Sequence, residues 1–138
     1  MITLSFLKLL ADNGFGTIDG DLFYQKLALG KVGIYIADIG DPVARGSRDT
    51  QSFELLARGT TDISGKYKLQ QIRKYLINNY ANICELPEMT IKVDGQDVTI
   101  PKYTNVEIAK PSTITNVGLD ANNRVIFSLT GTIIYKEK

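Results

Sequence analysis

The segment over residues 32–39 limits most strongly what this chain can fold into. Its sequence, Val-Gly-Ile-Tyr-Ile-Ala-Asp-Ile, gives a β-strand with apolar side chains on both faces, because successive residues of a strand point to opposite sides. Such a strand has to be covered on both faces, by a helix, by a second layer or by a neighbouring subunit. We therefore expect the rest of the chain, or a partner, to supply two covering surfaces.

Helical periodicity predicts two helices that supply part of this cover. The first spans residues 2–13 and is followed by Gly14, where a left-handed C-terminal cap is expected. The second spans residues 64–83, with Asp62 or Ser64 as its N-cap. Its apolar stripe consists of Leu69, Ile72, Leu76, Tyr80 and Ile83. We do not expect these two helices to cover both faces of the strand.

Alternating apolar residues predict the strands. We expect them over residues 22–28, 32–39, 51–58, 104–110 and 124–136. Residues 89–93 and 96–100 read as a hairpin, because Asp94-Gly95 suits a tight type I′ turn. Residues 40–50 are predicted to form a long polar loop, and residues 111–123 a connection between the last two strands. Gly131 is expected to mark a bulge or a close backbone approach.

These elements predict one α+β domain over residues 1–138. Its sheet is expected to be mostly antiparallel, with about four strands flanked by the two helices and an extra β-hairpin. No internal repeat, low-complexity tract or linker divides the chain.

Groups that usually carry catalysis are scarce. The chain has no histidine and one cysteine, Cys84, so the commonest general base is missing and a zinc site of thiolates and imidazoles cannot form. No glycine-rich phosphate-binding pattern occurs. The aspartate pairs lie beside glycine or proline and are interpreted as turn formers: Asp19/Asp21, Asp38/Asp41 and Asp94/Asp97. We predict a protein that is not an enzyme and has no catalytic, cofactor or metal residues, with Cys84 buried and structural.

Charge is distributed unevenly along a chain whose net charge is only +1. Residues 66–84 carry four basic side chains and no acid, whereas residues 85–107 carry five acids against two lysines. One interpretation is that these segments pair between neighbouring subunits, and the other is that both are solvated surfaces. The basic helix also permits a nucleic-acid hypothesis, although a nearly neutral chain argues against it.

Six charged residues are candidate assembly contacts: Asp41, Arg45, Arg48, Arg73, Asp94 and Asp97. The loop over residues 40–50 is expected to project from the body and to contact a partner protein or a neighbouring subunit. Arg73 lies at the margin of the apolar stripe, so its guanidinium group either reaches water or pairs with an acidic residue of a neighbouring subunit. The acidic hairpin is expected to be a peripheral arm, with the basic helix of an adjacent subunit as one choice of contact.

The sequence also bears on the cell compartment. A single cysteine suits a reducing compartment, and the first ten residues lack the basic start of a signal peptide. No apolar run approaches the roughly 20 residues that cross a bilayer. We expect synthesis in the cytoplasm and no membrane partner.

The closing third of the chain carries a spaced pattern, Pro…Ile…Gly-x-Asp…Arg…Phe-Ser. Its residues are Pro111, Ile114, Gly118, Asp120, Arg124, Phe127 and Ser128. Together with the order of helix, strands, long helix and terminal strand pair, this pattern resembles the tail terminator, or tail completion, proteins of long-tailed bacteriophages, which are also known as minor capsid proteins. The resemblance covers essentially the whole chain, and residues 85–102 look longer than the family core needs, which makes them a candidate local insertion.

The resemblance implies a structural virion protein located at the junction of tail and neck. Six copies would form a ring on the tail tube, end its polymerisation and join it to the head-completion or neck protein, with genomic DNA passing through the lumen. It implies no catalytic or cofactor residues. The alternatives are a head–tail connector or neck protein of the same virion class, and a small nucleic-acid-binding module.

Overall fold

The computed structural model describes residues 1–25, 32–79, 83, 85–109 and 111–136. In chain order the elements are α1 (Ile2–Asp12), β1 (Leu22–Tyr24), β2 (Gly33–Arg45), β3 (Arg48–Arg58), α2 (Asp62–Asn79), β4 (Glu85–Leu86), β5 (Met89–Val93), β6 (Gln96–Ile100), β7 (Tyr103–Thr104), β8 (Glu107–Ala109), β9 (Thr115–Leu119) and β10 (Val125–Tyr135). The α+β class predicted from the sequence is confirmed.

The main sheet has six strands, rather than about four, in the order β1-β2-β3-β10-β8, with β9 also pairing with β10. All pairs are antiparallel except β1 with β2. β8 and β9 pair with opposite ends of β10, at Thr132–Ile134 and Val125–Ser128. The sheet therefore has more strands than expected, in part because two short strands share the outer edge of β10.

Both helices pack on the same face of this sheet. Fully buried residues of α1 and α2, such as Phe6 and Leu69, belong to one core with Ile34, Phe53 and Leu129 of the central strands. The rings of Phe6 and Phe53 lie 4.9 Å apart between their centroids. One face of β2 thus has the helical cover that the sequence required.

Local hydrogen bonds set the ends of the helices. Gly14 has a φ of 84° after α1, and the amides of Gly14 and Phe15 donate to the carbonyls of Ala11 and Leu10, as in a Schellman cap. The predicted cap at Gly14 is confirmed. The N-cap predicted for α2, Asp62 or Ser64, is wrong, because the helix begins at Asp62 and Thr61 caps it. The Ser64 amide donates to the Thr61 hydroxyl at 3.1 Å, and the Thr61 amide donates to the Ser64 hydroxyl at 3.1 Å. Tyr80, predicted as part of the helix stripe, lies outside the described residues.

The polar loop predicted over residues 40–50 is wrong. β2 continues through this segment to Arg45, the chain turns at Gly46 and Ser47, and β3 begins at Arg48. The register shifts between Ile39 and Val43, so that the stretch containing Pro42 bulges where no strand of the described residues pairs with the outer edge of β2. Polar composition therefore did not mean a loop here, because the hairpin needs only a two-residue turn.

Two other predicted boundaries also change. Residues 104–110 do not form one strand, since β7 pairs with β4 in a small separate sheet and β8 joins the main sheet. The predicted connection over residues 111–123 contains β9. The strand expected over residues 22–28 is present as β1, and its last three residues lie outside the described part of the chain.

The hairpin of β5 and β6 forms as predicted. Asp94 and Gly95 have φ values of 51° and 81°, the positive angles that a type I′ turn needs. The two strands make their own two-stranded sheet, with Met89 opposite Ile100 at its base. Gly131 also behaves as predicted, because a Cβ built on it would lie 2.7 Å from Cζ of Phe53.

Candidate assembly surfaces

The second face of the sheet has no helical layer in the described part of the chain. Residues of β2, β3 and β10 that alternate with the core residues point to this side. Ile39 is 46% exposed, and Tyr35 and Ala37 are half-buried. Leu56 is buried but does not belong to the core under the helices. We call this surface the open face.

Polar side chains of neighbouring strands interact on the open face. The hydroxyl of Ser128 donates to Oε2 of Glu54 at 2.6 Å, and the two residues lie on neighbouring strands. Burial, together with the negative charge of Glu54, raises the pKa of the Tyr35 hydroxyl, against the opposing charge of Arg58. These contacts are typical of a surface that is partly withdrawn from water.

A cluster of charges links the β9–β10 turn to β3. Asp120 Oδ2 lies 3.1 Å from Nη1 of Arg58 and 3.1 Å from Nε of Arg124, and the aspartate side chain is only 6% exposed. Its other oxygen accepts the amides of Arg124 at 2.8 Å and Asn122 at 2.9 Å. The amide of Arg124, with further help from the Asn122 amide and the Arg124 guanidinium, holds the pKa of Asp120 below its ordinary value, although burial acts in the other direction.

This cluster was not among the candidate site residues. In the sequence, Asp120 and Arg124 stand out only as members of the Gly-x-Asp…Arg spacing, and nothing in the local sequence points to Arg58. The other pattern residues are also structural: Pro111 is buried, Phe127 is in the core, and Ser128 binds Glu54. The spacing was the only available signal for this cluster.

Three candidate contacts lie in the β2–β3 arm, which we define as residues 39–50. Asp41 is exposed on the strand edge. The backbone of Arg45 pairs with that of Arg48, and the side chain of Arg45 lies outside what the structure describes. Arg48 is held within the chain, because its Nη2 donates to the carbonyl of Asn105 and its Nη1 lies 3.2 Å from Oε2 of Glu107. Arg48 thus ties the arm to the rest of the sheet.

The fourth candidate, Arg73, lies in a groove between α2 and residues 112–114. Its Nε donates to the carbonyl of Ser112 at 2.8 Å, so the head is bound within the chain. The groove has a volume of about 400 Å³ and is also lined by Lys66, Gln70, Lys74, Ile77 and Thr113. None of the described residues that line it is acidic. We call it the basic groove.

The last two candidates lie in the β5–β6 arm, residues 89–100. Asp94 is exposed at the turn, and Asp97 pairs with Lys92 across the strands at 2.6 Å. Val93 and Val98 are 44% and 40% exposed. Only Met89, Ile91 and Ile100, at or near the base, pack against the core. Because a two-stranded hairpin is marginal alone in water, an arm of this kind gains from lying on another surface.

The described residues contain no group of three or more histidine, cysteine, aspartate or glutamate side chains that could hold a metal ion. Cys84 lies outside them. A cleft beside α1 is shallow and lined by residues such as Asp12, Thr17 and Glu88. Neither helix in the described part of the chain is long and apolar enough to cross a membrane.

The chain matches no model of a known protein family and no curated protein sequence. Its surfaces therefore carry the functional argument.

Proposed function

We propose that this chain is a structural protein of a bacteriophage virion, a tail terminator. Its copies form a ring, of six subunits by the family resemblance, that caps the tail tube and joins it to the head-completion or neck protein. The proposal is supported by the spaced pattern of the closing third and by surfaces suited to protein contacts. The described residues provide exposed arms and an incompletely covered sheet.

The observation that carries the proposal is the exposure of β2. This strand is apolar on both faces, yet the helices pack on one face only. β1 pairs with it only from Ile34 to Ile36, so its outer edge has no strand partner beyond that point in the described residues. Ile39 and Val43 are then 46% and 58% exposed. A neighbouring subunit is a natural cover for such a surface.

The residues of the Pro…Ile…Gly-x-Asp…Arg…Phe-Ser pattern add a second line of support. Asp120 and Arg124 close the β9–β10 turn and attach it to Arg58 of β3. They preserve the shape of the sheet edge, which is the part that a ring subunit has to present in the same way in every copy. A pattern built from such residues suits a family defined by assembly.

The proposal is tested by adding the purified chain to growing tail tubes made from the tube protein of the same genome. A terminator binds at the tube end and stops elongation, so tube lengths in electron micrographs become shorter as the chain is added. Binding along the tube wall, or no effect on length, contradicts the proposal. Binding to a DNA-filled head without binding to the tube assigns the chain to the connector or neck class instead.

The basic groove favours a second candidate, a nucleic-acid-binding module. Lys66 and Lys74 both line this groove along α2, with Lys66 Nζ 6.0 Å from the centroid of the Phe127 ring. Binding to duplex DNA is measured by fluorescence anisotropy in low and high salt. A module that neutralises several phosphates loses affinity steeply as salt rises. A tail terminator of nearly neutral net charge shows weak binding throughout.

A further inference from the structure

Two complementary surfaces lie on opposite flanks of the helical layer. On one flank of α2, Lys68 pairs with Asp21 and the ring of Tyr75 contacts Phe15, so this flank faces the α1 side. The basic groove lies on the other flank, because Lys66, Arg73 and Ile77 point about 140–180° away from Lys68 at 100° per residue.

The β5–β6 arm begins on the α1 side. Its base, Met89 and Thr90, lines a cleft with Lys8 and Asp12 of α1. The groove is on the far side of α2, beside Ser112 at the outer edge of β10. The Ser112 amide donates to the Thr130 carbonyl at 2.8 Å, and the Thr130 amide donates to the Ser112 hydroxyl at 2.9 Å. The arm and the groove of one chain are therefore separated by the helices.

The chemistry of the two surfaces is complementary. The groove offers Lys66 and Lys74, with Gln70 as a neutral hydrogen-bonding group, and Ile77 gives it an apolar floor. The arm offers the exposed carboxylate of Asp94 at its tip and the exposed side chains of Val93 and Val98 beside it. The acidic tip of the arm thus complements the basic side chains of the groove, and each surface also has apolar side chains that a contact can bury.

We propose that the β5–β6 arm of one copy docks in the basic groove of the next copy. The inference rests on the proposed ring, since that ring supplies the second copy. Different patches on opposite sides of a subunit make a head-to-tail contact, and such contacts close into a ring when the rotation per subunit is right. The contact buries the exposed valines of the arm and gives the arm the support that two isolated strands lack.

The test uses charge variants of the full chain and measures self-association by sedimentation velocity over a wide range of protein concentration. The groove variant is K66E/K74E. The arm variant is D94N/Q96K, which keeps a turn-forming residue at the positive φ of position 94. We expect each variant to associate at least about tenfold more weakly than the native chain at low salt, because complementary charge guides the contact. The chain that combines both variants is acidic in the groove and basic on the arm, and it should regain association.

A matched control is Lys136→Glu compared with Lys74→Glu. Both lysines are exposed and both changes alter the charge equally, but Lys136 lies at the end of the chain and outside the groove. Only Lys74→Glu should weaken association. The circular dichroism spectrum and the melting temperature of each variant identify any loss of association that is caused by unfolding.

Three results overturn the inference. In the first, the native chain associates and every charge variant does so equally, which leaves a ring built from other surfaces. In the second, the native chain does not associate at any concentration, which shows that the arm and the groove do not hold two copies together. In the third, the groove binds duplex DNA through Lys66 and Lys74 while the chain stays monomeric, which assigns the groove to nucleic acid. None of the three excludes capping of tail tubes, so failure here is distinguishable from failure of the proposed function.

Discussion

Replacement of Gly131 by alanine is expected to destabilise the protein through one close contact. Gly131 lies in the middle of β10, directly opposite Phe53 on β3. A Cβ at this position would lie 2.7 Å from Cζ and 3.0 Å from Cε1 of the Phe53 ring. The ring cannot move away easily, because its other neighbour is Phe6 of α1. Either the ring or the strand has to shift.

The size of the effect follows from two opposing contributions. Forcing a methyl group into a packed core costs about 1–3 kcal/mol. Replacing glycine by alanine restricts the unfolded chain and returns about 0.4–1 kcal/mol where the backbone tolerates a side chain. The φ of Gly131 is not in the positive range, so no backbone strain is added. We expect a net loss of about 0.5–2 kcal/mol in the free energy of unfolding.

Urea unfolding followed by circular dichroism measures this loss as a lower midpoint at an unchanged slope. Gly20→Ala is the matched control, because its Cβ would meet only ordinary contacts of 3.4 Å or more and Gly20 is exposed. It should be neutral or slightly stabilising. In a Phe53→Leu background, which removes the ring, Gly131→Ala should cost little. The reasoning is refuted if Gly131→Ala is as stable as the control, or if its cost is the same in both backgrounds.

Three further predictions concern charged residues. Because the folded protein lowers the pKa of Asp120, its ionised carboxylate stabilises the fold above the ordinary pKa of 3.8, and this stabilisation is lost as the pH falls through the folded value. The melting temperature of the native chain should therefore drop more steeply below about pH 4 than that of Asp120→Asn, and equal slopes would contradict this. Arg48→Ala should lower the free energy of unfolding by about 0.5–1.5 kcal/mol in urea titrations, because it removes the guanidinium that binds the Asn105 carbonyl and the Glu107 carboxylate. Lys92→Ala removes an exposed ion pair and should change the same quantity by less than about 0.5 kcal/mol, and a larger loss would show that the β5–β6 arm is part of the core.

Much of the fold could be predicted because its signals are local. The cap at Gly14, the Asp94-Gly95 turn and the buried stripe of α2 each depend on a few neighbouring residues. The close approach at Gly131 was also visible, as a gap in a row of apolar residues. Elements of this kind are specified by backbone conformation and periodicity, which a single sequence reports directly.

The failures have a common physical cause. β9 is exposed along its whole length, so it has no buried face and no alternation to detect. The β2–β3 arm has polar residues because its outer edge has no strand partner among the described residues, although its inner edge pairs with β3 on both sides of the bulge between Ile39 and Val43. In both cases strand formation is decided by a partner distant in sequence, and tertiary context overrides the local pattern.

The candidate site residues divide in a similar way. Asp41 and Asp94 are exposed, as an assembly contact requires. Arg48 and Arg73 are bound to carbonyls of the same chain. The sequence showed that Arg73 lies at the margin of the apolar stripe and that Arg48 belongs to a polar segment, but it could not show which distant carbonyl would accept either side chain. The Asp120 cluster was missed for the same reason, since Arg58 is far away along the chain.

The central claim is that copies of this chain form a closed ring at the end of a phage tail. Electron cryomicroscopy of the virion that contains the chain tests it most directly. The account predicts a ring of identical copies, with rotational symmetry, between the tail tube and the head. A single copy at this junction without rotational symmetry, or density for the chain elsewhere in the particle, would contradict it.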